Sequence, residues 1–351
     1  ASAVTLRWQS RPDAQFTPTA AISAGGLIFT AGLDGRIRAL DANSGQPKWT
    51  FKTSGAIRMP PTIALGRLYF GSGDGYAYCL DANSGRLLWR FRAAPVERLI
   101  PVYGSISSTW PVNSGVLVKD GVAYFAAGII DYDGTFVYAL DAKSGQRIWH
   151  NGSSGHINQL LRKGVSVQGN MTIDGNRLLL AGGNQVSPAA FDLETGNCEA
   201  TRIDQGHPKS NHGKFCGLFL GKYPLVGGRI LYSAAQNVST KGNFTLTSNH
   251  RPVTLNFGGV PPAWDESTVV LVNYLYGKLT CYDADAVLAV VQDMPATRPS
   301  DWQGRRSLVD LLAAKGAIRW QSDLGESNRF SVVSLVVCPD SIVAVFQQQH
   351  K

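Results

Sequence analysis

The stretch Val137–Trp149, VYALDAKSGQRIW, repeats a phrase written twice before: IRALDANSGQPKW ends at Trp49 and AYCLDANSGRLLW at Trp89. Each copy opens on a short run whose side chains alternate between buried and outward positions. It then turns through Asp-Ala-(Asn/Lys)-Ser-Gly and closes on a run carrying Trp. Alternation marks a strand with one buried face, and Ser-Gly supplies the positive φ that a tight turn between antiparallel strands demands. The Asp carboxylate can accept N–H groups of that turn, and the indole offers a wide flat face for packing. Asp41, Gly45 and Trp49 are therefore structural residues, as are Asp81, Gly85 and Trp89, and Asp141, Gly145 and Trp149.

Working outward, Trp8, Trp49 and Trp89 stand 41 and 40 residues apart, and Trp149 follows after 60. Upstream of each phrase lies another apolar strand bounded by glycine, such as GGLIFTAG at Gly25–Gly32. A period near 40 with several short strands per unit predicts a β-propeller, each unit one blade. A blade cannot bury both faces alone, so the copies stack in a ring. Composition agrees: of 351 residues 44% are hydrophobic and 17% charged, and no apolar run is long enough to cross a membrane. The net charge of +8 favours anionic partners. No Lys/Arg block stands out, so nucleic acid is not expected as a partner. None of the five cysteines has metal-ligand spacing, and Cys79, Cys281 and Cys338 lie in apolar runs that predict buried thiols.

The pattern A-x-D-x-x-[ST]-G-x-x-x-W resembles the tryptophan-docking repeat of PQQ-type β-propellers, the fold of quinoprotein alcohol dehydrogenases. Ala39–Trp49 and Ala139–Trp149 match it throughout; Cys79–Trp89 replaces only the Ala. Later copies decay: Ala189–Ala200 keeps Asp192, Thr195 and Gly196, and Thr280–Val291 keeps Asp283 alone before an insertion that ends at AIRW, Ala317–Trp320. The segments from Tyr103 to Ile129 and from Gly164 to Asp192 are also similar to PQQ-like propellers of planctomycete-type bacteria, a likeness that carries no activity. The expected fold class is all-β, a single propeller domain over 1–351 with seven blades, eight being the alternative. Blades fall near 8–49, 50–89, 90–149, 150–200, 201–257 and 258–320, with the seventh from Gln321. The segment 285–316 has Leu/Val spacing of a small helical insertion, with Gly316 as the residue after its end, and is expected to decorate the rim. Two apolar strands after Ser331 are too few for a blade, and VTLRWQ at the N-terminus is expected to add the outer strand. A fragment, a processed form and an irregularly closed ring all stay open.

The resemblance places the connections that follow each closing strand at one mouth of the channel. Those connections carry Arg58, Arg98, Trp110, Arg162, Lys163 and Lys214, with Asn328 and Arg329 from the last blade, as the expected ligand-binding set. The alternative is a polysaccharide lyase or hydrolase acting on an anionic glycan; for a lyase, His156 or His212 would be the base and Tyr103 the acid, with Trp110 offering a stacking face. A PQQ-dependent dehydrogenase with calcium is disfavoured: the vicinal cysteine pair and the acidic ligand set of those enzymes are missing from the segments, whose acids are Glu97 and Asp204. No metal and no cofactor are expected. Relatives with this fold include outer-membrane assembly lipoproteins that act as scaffolds, although the chain does not open on a lipobox cysteine. The favoured expectation is a periplasmic or secreted ligand-binding or scaffold protein, its partner an anionic glycan or another protein, with catalysis left open.

Overall fold

The computed structural model describes residues 8–10, 17–102, 105–130, 133–156, 164–167, 169–181, 188–199, 215–219, 223–227, 243–248, 251–256, 262–273, 278–293, 312–323, 330–338 and 341–348. Among them the strands form seven successive antiparallel sheets and one separate hairpin. The first sheet is β1 (Ile22–Ala24), β2 (Leu27–Ala31), β3 (Arg36–Asp41) and β4 (Pro47–Lys52); the second is β5 (Thr62–Ala64), β6 (Arg67–Gly71), β7 (Tyr76–Asp81) and β8 (Leu87–Arg92). The hairpin of β9 (Leu99–Val102) and β10 (Ser105–Ser108) comes next. The third sheet is β11 (Leu117–Lys119), β12 (Val122–Ala127), β13 (Phe136–Asp141) and β14 (Arg147–Asn151), and the fourth is β15 (Met171–Asp174), β16 (Arg177–Leu180) and β17 (Ala189–Asp192). The fifth is β18 (Phe215–Phe219), β19 (Tyr223–Gly227), β20 (Asn243–Ser248) and β21 (Arg251–Asn256). The sixth is β22 (Ala263–Trp264), β23 (Thr268–Asn273), β24 (Lys278–Asp283) and β25 (Ile318–Asp323), with helix α1 (Ala284–Asp293) between its last two strands. The seventh holds β26 (Phe330–Cys338) and β27 (Ser341–Gln348).

Within each sheet the strands stand in chain order, and the first strands sit side by side: β1 lies against β5 and β26, and β5 against β11. The last sheet thus abuts the first, as a propeller requires. No described helix is long and apolar enough to cross a membrane. The core lies between consecutive sheets. Phe29, Ile37, Leu68, Phe70 and Leu80 fill the space between the first and second, and Tyr69, Phe125, Val137, Leu178 and Phe191 continue it through the fourth. Branched aliphatic and aromatic side chains interdigitate between these layers at the density of a packed interior.

The repeated phrase makes the same contact each time. Trp49 Nε1 donates to Ala82 O (3.1 Å), Trp89 Nε1 to Ala142 O (3.0 Å) and Trp149 Nε1 to Leu193 O (2.9 Å), always in the next sheet. The ring lies against that sheet's turn glycine: Gly85 meets Trp49, Gly145 meets Trp89 and Gly196 meets Trp149. Trp8 does the same to Ala42 O (2.8 Å) and Gly45. It therefore occupies, relative to the first sheet, the place that a preceding sheet's closing Trp would take; the rest of the expected N-terminal strand, residues 1–7, is outside the described residues. The indoles are partly buried, with one face covered by the next sheet's turn. Opposite each of these Trp residues the facing strand bulges beside a small residue, Ala39, Cys79 or Ala139, and Trp320 repeats this against Cys281.

The turn itself is an arrested helix. Asp41 Oδ1 accepts from Ser44 N (3.0 Å) and Oγ (3.0 Å), as an N-cap does, while Gly45 N donates to Asp41 O (2.8 Å) in an α-helical step. Gly45, with φ 70°, then leaves the right-handed region and stops the helix. Asp81, Asp141 and Asp192 build the same turn with Ser84, Ser144 and Thr195. In the sixth sheet Asp283 Oδ1 again caps, accepting from Ala286 N (3.1 Å), but Val287 stands where the glycine should be, so α1 continues to Asp293. The insertion does more than decorate the rim. Val287, Val290 and Leu312 are buried against Val269, Leu271 and Tyr282 of the sixth sheet and Leu225 of the fifth. Gly316 (φ 67°) ends its second helical turn as expected, with Ala317 N donating to Leu312 O. Cys79 and Cys281 are buried thiols, and burial pushes Cys79 up to about 11.

The capping bonds predict an acid transition. The Ser44 N–H and hydroxyl hold Asp41 down at about 2, and the equivalent bonds lower Asp81, Asp141 and Asp192. A carboxyl depressed in the folded state contributes stability fully present above its unfolded value of about 4 and lost as pH falls through the folded value. Acid unfolding followed by Trp fluorescence is expected to steepen between about pH 4 and about pH 2. Replacing Asp41, Asp81 and Asp141 together by Asn keeps the acceptor but removes the titration, and should flatten that slope. An unchanged slope would show that other groups govern acid stability.

Candidate ligand-binding mouth

Because the strands of each four-stranded sheet alternate in direction and the first strands are neighbours, the described connections after β4, β8 and β14 emerge at one end. The β2–β3 and β6–β7 turns emerge there too, and the two sets are laced together. Thr53 N donates to Gly35 O (2.8 Å), Gly73 N to Ala56 O (2.8 Å) and Val112 N to Ser72 O (3.0 Å), while Val165 N donates to Ser154 O (2.9 Å) within the β14–β15 connection. Side-chain hydroxyls complete the collar: Thr53 Oγ1 bonds Gly55 O (2.8 Å), Ser107 Oγ bonds Gly73 O (3.0 Å), and Thr135 Oγ1 bonds Val165 O. These hydroxyls are buried, and their bonds satisfy backbone carbonyls that a tight bend takes out of the sheets. Gly55 cannot be replaced here, since a Cβ would lie 2.2 Å from Asp74 N.

Arg58 sits in the first of these connections, between Ile57 and Met59, both buried, so its own half-buried side chain lies on the opposite side of the extended chain. Arg98 is exposed at the foot of the hairpin. Its Nε donates to Thr109 Oγ1 (3.1 Å), and its guanidinium lies 5.4 Å over the Trp110 ring. Trp110 corrects the expectation of an open stacking platform. It is 8% exposed, donates Nε1 to Asp133 O (2.6 Å) and meets Phe136 edge-on, so it ties the hairpin to the collar. Its neighbours explain why: a Trp among buried Ser and Thr finds both an apolar slot and a carbonyl for its N–H.

His156 ends the short 3-10 turn Ser154–His156 in the connection after β14. Tyr103, Arg162, Lys163, His212, Lys214, Asn328 and Arg329 lie outside the described residues. Of the expected set, the structure therefore brings Arg58 and Arg98 to one end. The hydroxyl collar was missed by sequence reading, although the run SISSTW at Ser105–Trp110 is its signal. So was the β9–β10 hairpin, signalled by the apolar run LIPV before YG.

The carboxylates of the β2–β3 and β6–β7 turns already have partners. Asp34 is paired with Arg38 (2.5 Å), and Asp74 accepts from Tyr78 OH (2.8 Å) and Ser54 N (3.2 Å). Among the described residues no group of three His, Cys, Asp or Glu side chains is placed to hold a cation.

A search of curated proteins finds no match. Among solved structures, a europium-containing methanol dehydrogenase is similar at 15% identity over 92% of this chain and 71% of that one, with a TM-score of 0.51, a likeness of fold. BamB from Moraxella catarrhalis aligns at 16% identity over 93% of this chain and 81% of that one, with a TM-score of 0.46. Residues 5–245 match the family described as outer membrane protein assembly factor BamB. The stacked four-stranded sheets, the repeated Trp–glycine contact and that match place this chain in the BamB-like family of PQQ-type β-propellers.

Proposed function

We propose that the chain is an exported, non-catalytic binding scaffold that holds an anionic partner, a glycan or an acidic protein, at the basic end of the ring and works without PQQ. The observation that supports this is topological: the connections bearing Arg58 and Arg98 leave their sheets at one end, beside a hydroxyl collar where Asp34 and Asp74 already have partners. Positive charge around the low-dielectric end of a ring raises the local concentration of a polyanion. The description of the matched family, an outer membrane protein assembly factor, fits a scaffold better than a catalyst.

The test is binding of polygalacturonate and dextran sulfate at low salt, measured by calorimetry. Changing Arg58, Arg98 and Lys163 together to Ala is expected to weaken binding at least about tenfold, or ~1.4 kcal/mol. Changing Lys119 and Lys143 should leave it intact, since Lys119 ends β11 and Lys143 lies in the β13–β14 turn, both at the opposite end. Equal losses in the two variants, or no binding at all, would remove the basic end as the site.

A further inference from the structure

The β9–β10 hairpin carries the clearest unexplained surface. Val96, Leu99 and Ile106 are 55%, 56% and 57% exposed. The register pairs Leu99 with Ser108 and Pro101 with Ile106, so Leu99, Pro101 and Ile106 share one hairpin face, and all three are exposed. The base is not loose. Ser108 N and Ser107 Oγ both bond Gly73 O, Thr109 N bonds Arg98 O (2.9 Å), and Trp110 is locked to Asp133. A tied-down foot thus presents an apolar face to solvent; the exposed Arg98 directly precedes Leu99 in the chain, the exposed Arg92 ends β8 a few residues earlier, and Glu97 is the one acid between them.

We propose that this face docks an extended, acidic segment of a partner protein whose apolar side chains alternate with carboxylates. The inference deepens the scaffold reading and rests on it. Alternation is what a strand-like segment presents to a two-stranded sheet. Its apolar side would cover Leu99, Pro101 and Ile106, and its carboxylates would meet Arg92 and the Nη groups of Arg98. Arg98 is already oriented, because Nε is committed to Thr109 and the ring of Trp110 supports the guanidinium, so little side-chain freedom is lost on binding. A second copy of this chain is a poor occupant. A two-fold contact would set the same arginines against each other on a protein of net charge +8. Three side chains are also far from the roughly 1,600 Å² that a stable globular interface buries, which suits a short segment.

The probe is a set of three synthetic peptides titrated onto the full chain by fluorescence anisotropy: six repeats each of Glu-Leu, Glu-Ser and Lys-Leu. Glu-Leu is expected to bind at least about tenfold tighter than either control, and the variant Leu99→Ser/Ile106→Ser should reduce it to the Glu-Ser level. The same variant should bind polygalacturonate as the parent does, which separates failure of this inference from failure of the basic-end reading. Circular dichroism and the thermal midpoint check that the variant folds; both changed side chains are already exposed. Equal binding of the three peptides, or no effect of the hairpin variant, overturns the proposal. So does a loss in that variant of binding to phosphatidylglycerol vesicles while Glu-Leu binding persists, since the face would then be a lipid contact.

Discussion

Gly85→Ala is expected to cost about 3 kcal/mol or more of stability, while Gly25→Ala costs only about 1. Both glycines have positive φ, 72° and 56°, where an L side chain pays the left-handed penalty. They differ in what a Cβ would meet. At Gly25 nothing lies within 4 Å, whereas at Gly85 the Cβ would stand 2.6 Å from Cε3 and 2.7 Å from Cδ2 of Trp49. The indole cannot retreat without breaking its bond to Ala82 O and leaving the aromatic contact with Phe29 at 5.8 Å. Urea unfolding of the two variants isolates the collision from the backbone term. Equal losses would mean that the Trp–glycine contact does not hold the first and second sheets together.

Trp89→Ala is the second large effect, expected at about 3 kcal/mol, the low end for a truncated Trp because the ring is half-buried. Three donors converge on one carbonyl at this joint: Trp89 Nε1 (3.0 Å), Tyr69 OH (3.1 Å) and Arg67 Nη1 (3.5 Å) all reach Ala142 O. Removing the indole leaves that oxygen with partners, so the loss is one of packing against Tyr69 and the Gly145 turn rather than of an orphaned acceptor. Trp89→Phe should therefore recover more than half of the loss. A phenylalanine variant as unstable as the alanine one would show that the Nε1 bond dominates. The joint links the second and third sheets, and its thermal midpoint is measurable without any knowledge of the ligand.

Both effects trace to the phrase that was legible before any coordinates. Asp, Gly and Trp at fixed spacing specify a turn, a left-handed residue and a flat ring, and each is a local requirement that backbone geometry imposes on residue type. The same logic read the sixth sheet in part: Asp283 is present, the glycine is absent, and the helix that follows is the consequence. What remained illegible was where the insertion packs, because Leu225 meets Val287 and Leu312 only through the fold.

At the basic end the division is sharper. The phase of the repeat, read through its resemblance to PQQ-type propellers, placed the connections bearing Arg58 and Arg98 at the same end, since antiparallel order with a fixed strand number returns each closing strand to that side. Whether a given side chain there is open or spent was decided only by tertiary structure. Trp110, which sequence placed among the ligand contacts, lies buried under Arg98 with its N–H on Asp133, while the apolar Leu99 and Ile106 face water. The physical reason is that a loop's burial depends on the neighbouring sheet's turn against which it closes. Here Gly73 takes Ser107 and Ser108, and this contact between residues more than thirty positions apart leaves the hairpin's apolar face exposed.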